Sequence, residues 1–185
     1  MTDLHEERMA LISVLAKHSP RRYIGRTAVM KFLYFLQTLR DVSLGYRFSL
    51  YSYGPFDSDV LADLATAESL EAVDSRVVEY HGGYSYQITP GSNAEWLQDR
   101  TREFLDRCEP DVDWVIRNFG SFSSAELELV STIIYVDREI SECDEELSLD
   151  ELTERVKEIK PHFSTERIME FATHLADEAL LIAAA

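Results

Sequence analysis

Arg21, Arg22, Arg26 and Lys31 place four cations within eleven residues, and Arg76 adds a fifth farther along. Cations at this spacing hold phosphate oxygens through charge-assisted hydrogen bonds, which is the chemistry of a nucleic-acid backbone. Reading bases would further require Arg, Lys, Asn or Gln on an inserted helix. The helix expected over Asp57 to Leu70 offers Asp57, Asp59, Asp63 and Glu68 instead, acids that repel phosphate. Nucleic-acid binding through Arg21, Arg22, Arg26, Lys31 and Arg76 is therefore the alternative reading. The competing one pairs these cations with acids elsewhere in the chain.

A second chemistry is aromatic. Tyr51-Ser52-Tyr53-Gly54-Pro55-Phe56 concentrates three rings around a Gly-Pro corner. Tyr and Phe anchor protein interfaces well, because they bury much area with few rotors. Tyr51, Tyr53 and Phe56 are thus candidate partner-binding residues. The plainer expectation is a structural corner, with Tyr53 and Phe56 packed on the preceding helix.

Catalytic chemistry has little support. The five histidines, at positions 5, 18, 81, 162 and 174, are scattered, and Cys108 and Cys143 have no Cys or His neighbour at ligand spacing. Zincin, nucleophile-elbow, phosphate-loop and dinucleotide glycine patterns are missing from the sequence. Glu126 and Glu128 read as helix-start acids complementing the dipole. Asp144-Glu145-Glu146 lacks the alternating oxygen ligands of a calcium loop. The expectation is a non-enzyme with no cofactor and no metal.

The formal charge of −16 lies mostly in one half: residues 91–185 carry 23 acids against 9 bases. Such a surface is expected to steer toward a basic partner protein, such as a toxin, and away from polyanions. A salt-adapted host would account for the same acidity. The acidic start of the chain differs from a secretory leader, and no stretch reaches the apolar length of a membrane span, so a cytoplasmic location is expected.

The elements that must position these groups follow from periodicity and punctuation. Leu4 to His18 is expected as a helix stopped at Ser19-Pro20, and Arg26 to Asp41 as a second, apolar on more than one face. Tyr46 to Tyr53 alternates like a strand, Gly54-Pro55 turns the chain, and Asp57 or Ser58 caps a third helix. His81-Gly82-Gly83 sits between two short runs as a hairpin turn. Helices are then expected over Asn93 to Arg107 and Val112 to Phe119. Capping boxes at Ser123/Glu126 and Ser148/Glu151 open two more, and Ser164 opens the last. The sum is a mostly-α α+β chain. A winged-helix-like unit over 1–91 supports an acidic helical region over 92–185 packed on it. The apolar Leu180 to Ala185 segment is expected in the core or in a homodimer seam, or else as an exposed degradation signal.

Gly25-Arg26-Thr27, Lys31 to Gln37, Gly45 to Phe48 and Tyr53 to Phe56 resemble the opening of the YwgA family and the related Panacea, or SocA-like, antitoxin domain. Glu126 to Leu129 and Lys160-Pro161 also look YwgA-like. The resemblance is strongest over residues 5–90. It implies a winged-helix-like core with added C-terminal helices. It also implies a protein that neutralises a partner toxin or hands it to a protease as an adaptor. The leading expectation is a non-catalytic interaction module of a prokaryotic conflict system, and the alternative is a DNA-binding transcriptional regulator.

Overall fold

The computed structural model describes residues 3–19, 23–143 and 147–184. The elements run α1 (Leu4–His18), α2 (Arg26–Leu39), β1 (Ser49–Tyr51), β2 (Gly54–Phe56), α3 (Ser58–Ser69), β3 (Val73–Tyr80), β4 (Gly83–Pro90), α4 (Ala94–Arg100), α5 (Arg102–Phe119), α6 (Ser124–Glu142), α7 (Leu149–Ile159) and α8 (Thr165–Asp177). The fold is mostly α, with two small antiparallel two-stranded sheets, β1-β2 and β3-β4. Two compact units divide it: residues 1–48 with 57–122, and residues 49–56 with 123–185. The expected boundary near residue 91 falls inside the first unit, because α4 and α5 pack on α1.

In the first unit, α1 is the hub, touching α3, α4, α5 and β4. Asp3 caps it by accepting the His5 N–H at 3.2 Å, and Leu11, Ile12 and Leu15 are wholly buried. In α2, every residue from Val29 to Leu36 is buried, so its apolar stripe has become the whole circumference. Phe35 meets Phe119 of α5 with ring centres 4.4 Å apart. Ile24, between α1 and α2, bridges antiparallel to Ile88 of β4. Within this unit the order is α1, the bridging Ile24, α2, α3 and the β3–β4 hairpin, with β1 and β2 falling between α2 and α3 in the chain.

Two expectations are corrected here. The helix break falls at Thr101, not between residues 107 and 112; Pro110 lies inside α5. Thr101 is buried, and its hydroxyl donates to the Leu97 carbonyl at 3.0 Å, turning the chain there. Pro110 and Asp106, whose carbonyl loses its donor, are both exposed, where a lost helix hydrogen bond costs less than it would in the core. The strand expected over Tyr46 to Tyr53 is shorter: β1 begins at Ser49, and Gly54-Pro55 belongs to β2 rather than to a turn.

In the second unit, α6 supplies the core, with Leu127, Val130, Ile133 and Ile134 at most 1% exposed. Both expected capping boxes form, at Ser123/Glu126 and Ser148/Glu151. Buried Asp137 on α6 accepts backbone N–H groups from Ile182 (2.8 Å), Ala183 (3.0 Å) and Ala184 (3.1 Å). Arg138 completes this clamp, donating to Asp137 at 2.5 Å and to the Leu180 carbonyl at 3.0 Å. Leu181, Ala183 and Ala184 are therefore buried, whereas Ile182 is 58% exposed and Ala185 lies outside the described residues.

Candidate partner-binding hairpin

The aromatic corner is a hairpin in the second unit. Ser49 pairs with Phe56, Leu50 with Pro55 and Tyr51 with Gly54, which leaves Ser52-Tyr53 as a two-residue loop. Tyr53 thus stands at the tip. Gly54 has φ +84° and sits hard against α6. A Cβ there would lie 3.0 Å from both Ser131 Oγ and Thr132 Oγ1, and 3.3 Å from the Glu128 carbonyl. Only glycine meets both conditions.

The loop is also held from beneath. Lys160, 2% exposed, donates from Nζ to the Ser52 carbonyl and to Glu128 Oε1 at 2.8 Å. His162 Nε2 lies 3.5 Å from the same carboxylate oxygen. Stripping water from an ammonium and a carboxylate is costly, and here each recovers it through the other and through the loop carbonyl. Leu50 adds a backbone hydrogen bond to the Tyr135 phenol. Burial, then the Glu139 carboxylate, pushes that phenol above its ordinary range.

What this scaffold presents is aromatic. Tyr51 and Tyr53 are 68% and 73% exposed. Tyr51 stacks tilted on Phe56, with ring centres 5.7 Å apart. The expectation that Tyr53 packs inward is thus corrected: the two-residue loop turns it to water. All three aromatic candidates lie on one hairpin. The site chemistry is that of an interface anchor: large rings on a backbone fixed at both ends. Lys160 is engaged by two acceptors, which suits a strut.

The cation candidates do not assemble in the same way. Arg21 and Arg22 lie outside the described residues. Lys31 is 2% exposed, so it faces the core, a correction to its expected place on a phosphate-binding surface. Arg26 lies 3.4 Å over the Tyr86 ring, with its Nε buried and lacking a hydrogen-bond partner. Arg76 alone is widely exposed, on β3, and reaches Asp74 at 3.2 Å.

The acids of α3 are likewise placed differently than expected. Asp57 is the cap, accepting from the backbone N–H groups of Asp59 (2.9 Å) and Arg47 (2.5 Å). Asp63 is fully buried, accepting from the Tyr46 hydroxyl at 2.8 Å, with His5 Nδ1 at 2.7 Å and Arg8 at 3.5 Å. Burial, then the Asp63 carboxylate, drives the Tyr46 phenol far above its usual value. Asp59 is the one α3 acid that is well exposed.

Sequence reasoning missed the Glu128–Lys160 pair and the Tyr46–Asp63 bond. Lys160 is the last residue before Pro161, and a lone Lys beside a helix stop carries no burial signal. Glu128 did leave one: it sits among Leu127, Leu129 and Val130, on the face that α6 buries. Among the described residues, no group of three or more His, Cys, Asp or Glu is placed to hold a metal, and no helix is long and apolar enough to cross a membrane.

No protein-family model and no curated protein matches this chain.

Proposed function

We propose that this chain is a non-catalytic protein–protein interaction module, antitoxin-like or adaptor-like, that docks a basic partner through the hairpin of Tyr51, Tyr53 and Phe56. The observation that carries the reading is the exposure of Tyr51 and Tyr53, at 68% and 73%, on a hairpin whose Ser52 carbonyl is tied to buried Lys160. Exposed rings on mobile loops lose entropy when they bind, whereas rings on an anchored hairpin lose little. The sign of the partner follows from charge. Residues 123–185 of the same unit hold sixteen acids against five bases. That field speeds encounter with a cationic surface and slows encounter with nucleic acid. The test is a photo-crosslinking amino acid at position 53, used in the native host. Crosslinks to one defined basic protein support the reading, and none beyond those of a surface control at position 154 would end it.

The second reading, a winged-helix regulator, is favoured by the element order and by Arg76 on the hairpin arm, its side chain 78% exposed. It needs salt-sensitive retention on DNA that disappears in Arg76→Glu. The exposed face of α3, with Ser58, Asp59, Leu61, Ala62, Ala65, Thr66 and Ser69, holds no cation to read a groove.

A further inference from the structure

The β3–β4 hairpin leaves an edge open. Its pairing is unbroken from Val73↔Pro90 to Tyr80↔Gly83, without a bulge, and the sheet has only these two strands. β4 also meets Ile24, whereas the outer edge of β3 carries no strand among the described residues. From Arg76 to Glu79 every residue of β3 is exposed, with Val77 at 58% and Val78 at 37%. β3 contains neither Lys nor Pro, the residues that usually guard an edge.

We propose that the occupant is β3 of a second copy, paired antiparallel about a twofold axis through Ser75. Charge complementarity argues for both occupant and register. In such a pair the faces run continuously, so opposed positions sum to an even number. Centring on Arg76 would set two guanidiniums against each other. Centring on Ser75 sets Asp74 opposite the partner's Arg76, and Arg76 opposite the partner's Asp74. Over Asp74 to Arg76, four charges of alternating sign then lie on one face, with no like charges directly opposed. On the other face, exposed Val77 falls opposite the partner's Val73, so apolar surface is covered. Asp74 and Arg76 already meet within one chain at 3.2 Å, their side chains 50% and 78% exposed, so both are free to re-pair.

The experiment is sedimentation equilibrium of the full chain at about 0.15 M salt, where repulsion between the acidic copies is screened beyond about 8 Å. The expected result is a reversible dimer for the parent. Arg76→Asp and Asp74→Arg should each weaken it at least tenfold, and the double swap should return it to within about threefold of the parent. A tenfold change corresponds to about 1.4 kcal/mol. Circular dichroism confirms that the exposed substitutions leave the fold unchanged. A parent that stays monomeric to millimolar concentration overturns the proposal, even if the edge accepts a strand from another protein. A dimer indifferent to both reversals overturns it as well.

Discussion

Lys160 Nζ lies 2.8 Å from Glu128 Oε1, with the two residues 2% and 7% exposed, directly beneath the loop that carries Tyr53. Removing one partner leaves a desolvated charge without compensation. Lys160→Met should therefore cost about 3–5 kcal/mol in urea unfolding. Glu128→Leu in the same chain should recover most of that loss, because two apolar side chains carry no desolvation penalty. If the double variant is as unstable as the single, the pair is not what holds this region.

Gly54 couples the hairpin to α6 by its lack of a side chain. Gly54→Ala faces a positive φ and contacts of 3.0 Å on two hydroxyl oxygens. The expected loss is about 1–3 kcal/mol, with faster amide exchange across residues 49–56. Unchanged exchange there would show that the turn tolerates a Cβ.

Asp137→Asn removes the charge on which Ile182, Ala183, Ala184 and Arg138 converge. One amide oxygen can still accept, so the clamp weakens rather than vanishes. Hydrogen bonds to a charged acceptor contribute about 1.5–3 kcal/mol each. Hydrogen exchange at residues 182–184 should accelerate at least tenfold while the α6 amides stay protected.

The cysteines should differ sharply in reactivity. Burial, then the Asp111 carboxylate, pushes the Cys108 thiol up to about 11. Cys143 is exposed. At pH 8 a thiol-specific disulfide reagent should label Cys143 rapidly and Cys108 only after unfolding.

Helix α7 should respond to acid through its cap. The Ser148 backbone N–H, then its hydroxyl, holds the Glu151 carboxyl below the usual range. A depressed folded value means that the stabilisation is present above the unfolded value and fades as pH falls through the folded one. Parent and Glu151→Gln should therefore differ in melting temperature at neutral pH and converge in strong acid. A constant gap across that window would contradict the assignment.

Much of this architecture was readable because local chemistry fixes it. Ser123/Glu126 and Ser148/Glu151 mark helix starts with two reciprocal hydrogen bonds each, independent of tertiary context. Leu4–His18 was legible from its apolar spacing and the Ser-Pro stop that follows it. What escaped depends on contacts far apart in sequence. Lys31 reads as a surface cation until α2 is seen to be enclosed, although the apolar residues on both sides of it carried the warning. Asp63 reads as a groove acid until Tyr46 and Arg8 are brought to it. Pro110 reads as a break because proline removes a helix hydrogen bond and crowds the preceding turn, yet α5 runs through it at an exposed position.

The central claim is that the anchored tyrosine hairpin is the docking element, and calorimetric titration of the crosslinked partner tests it most directly. Tyr51→Ala/Tyr53→Ala should weaken binding at least a hundredfold with the melting temperature unchanged, since both rings are exposed. Parent-like affinity in the folded double variant would contradict the account and move the interface elsewhere on the chain.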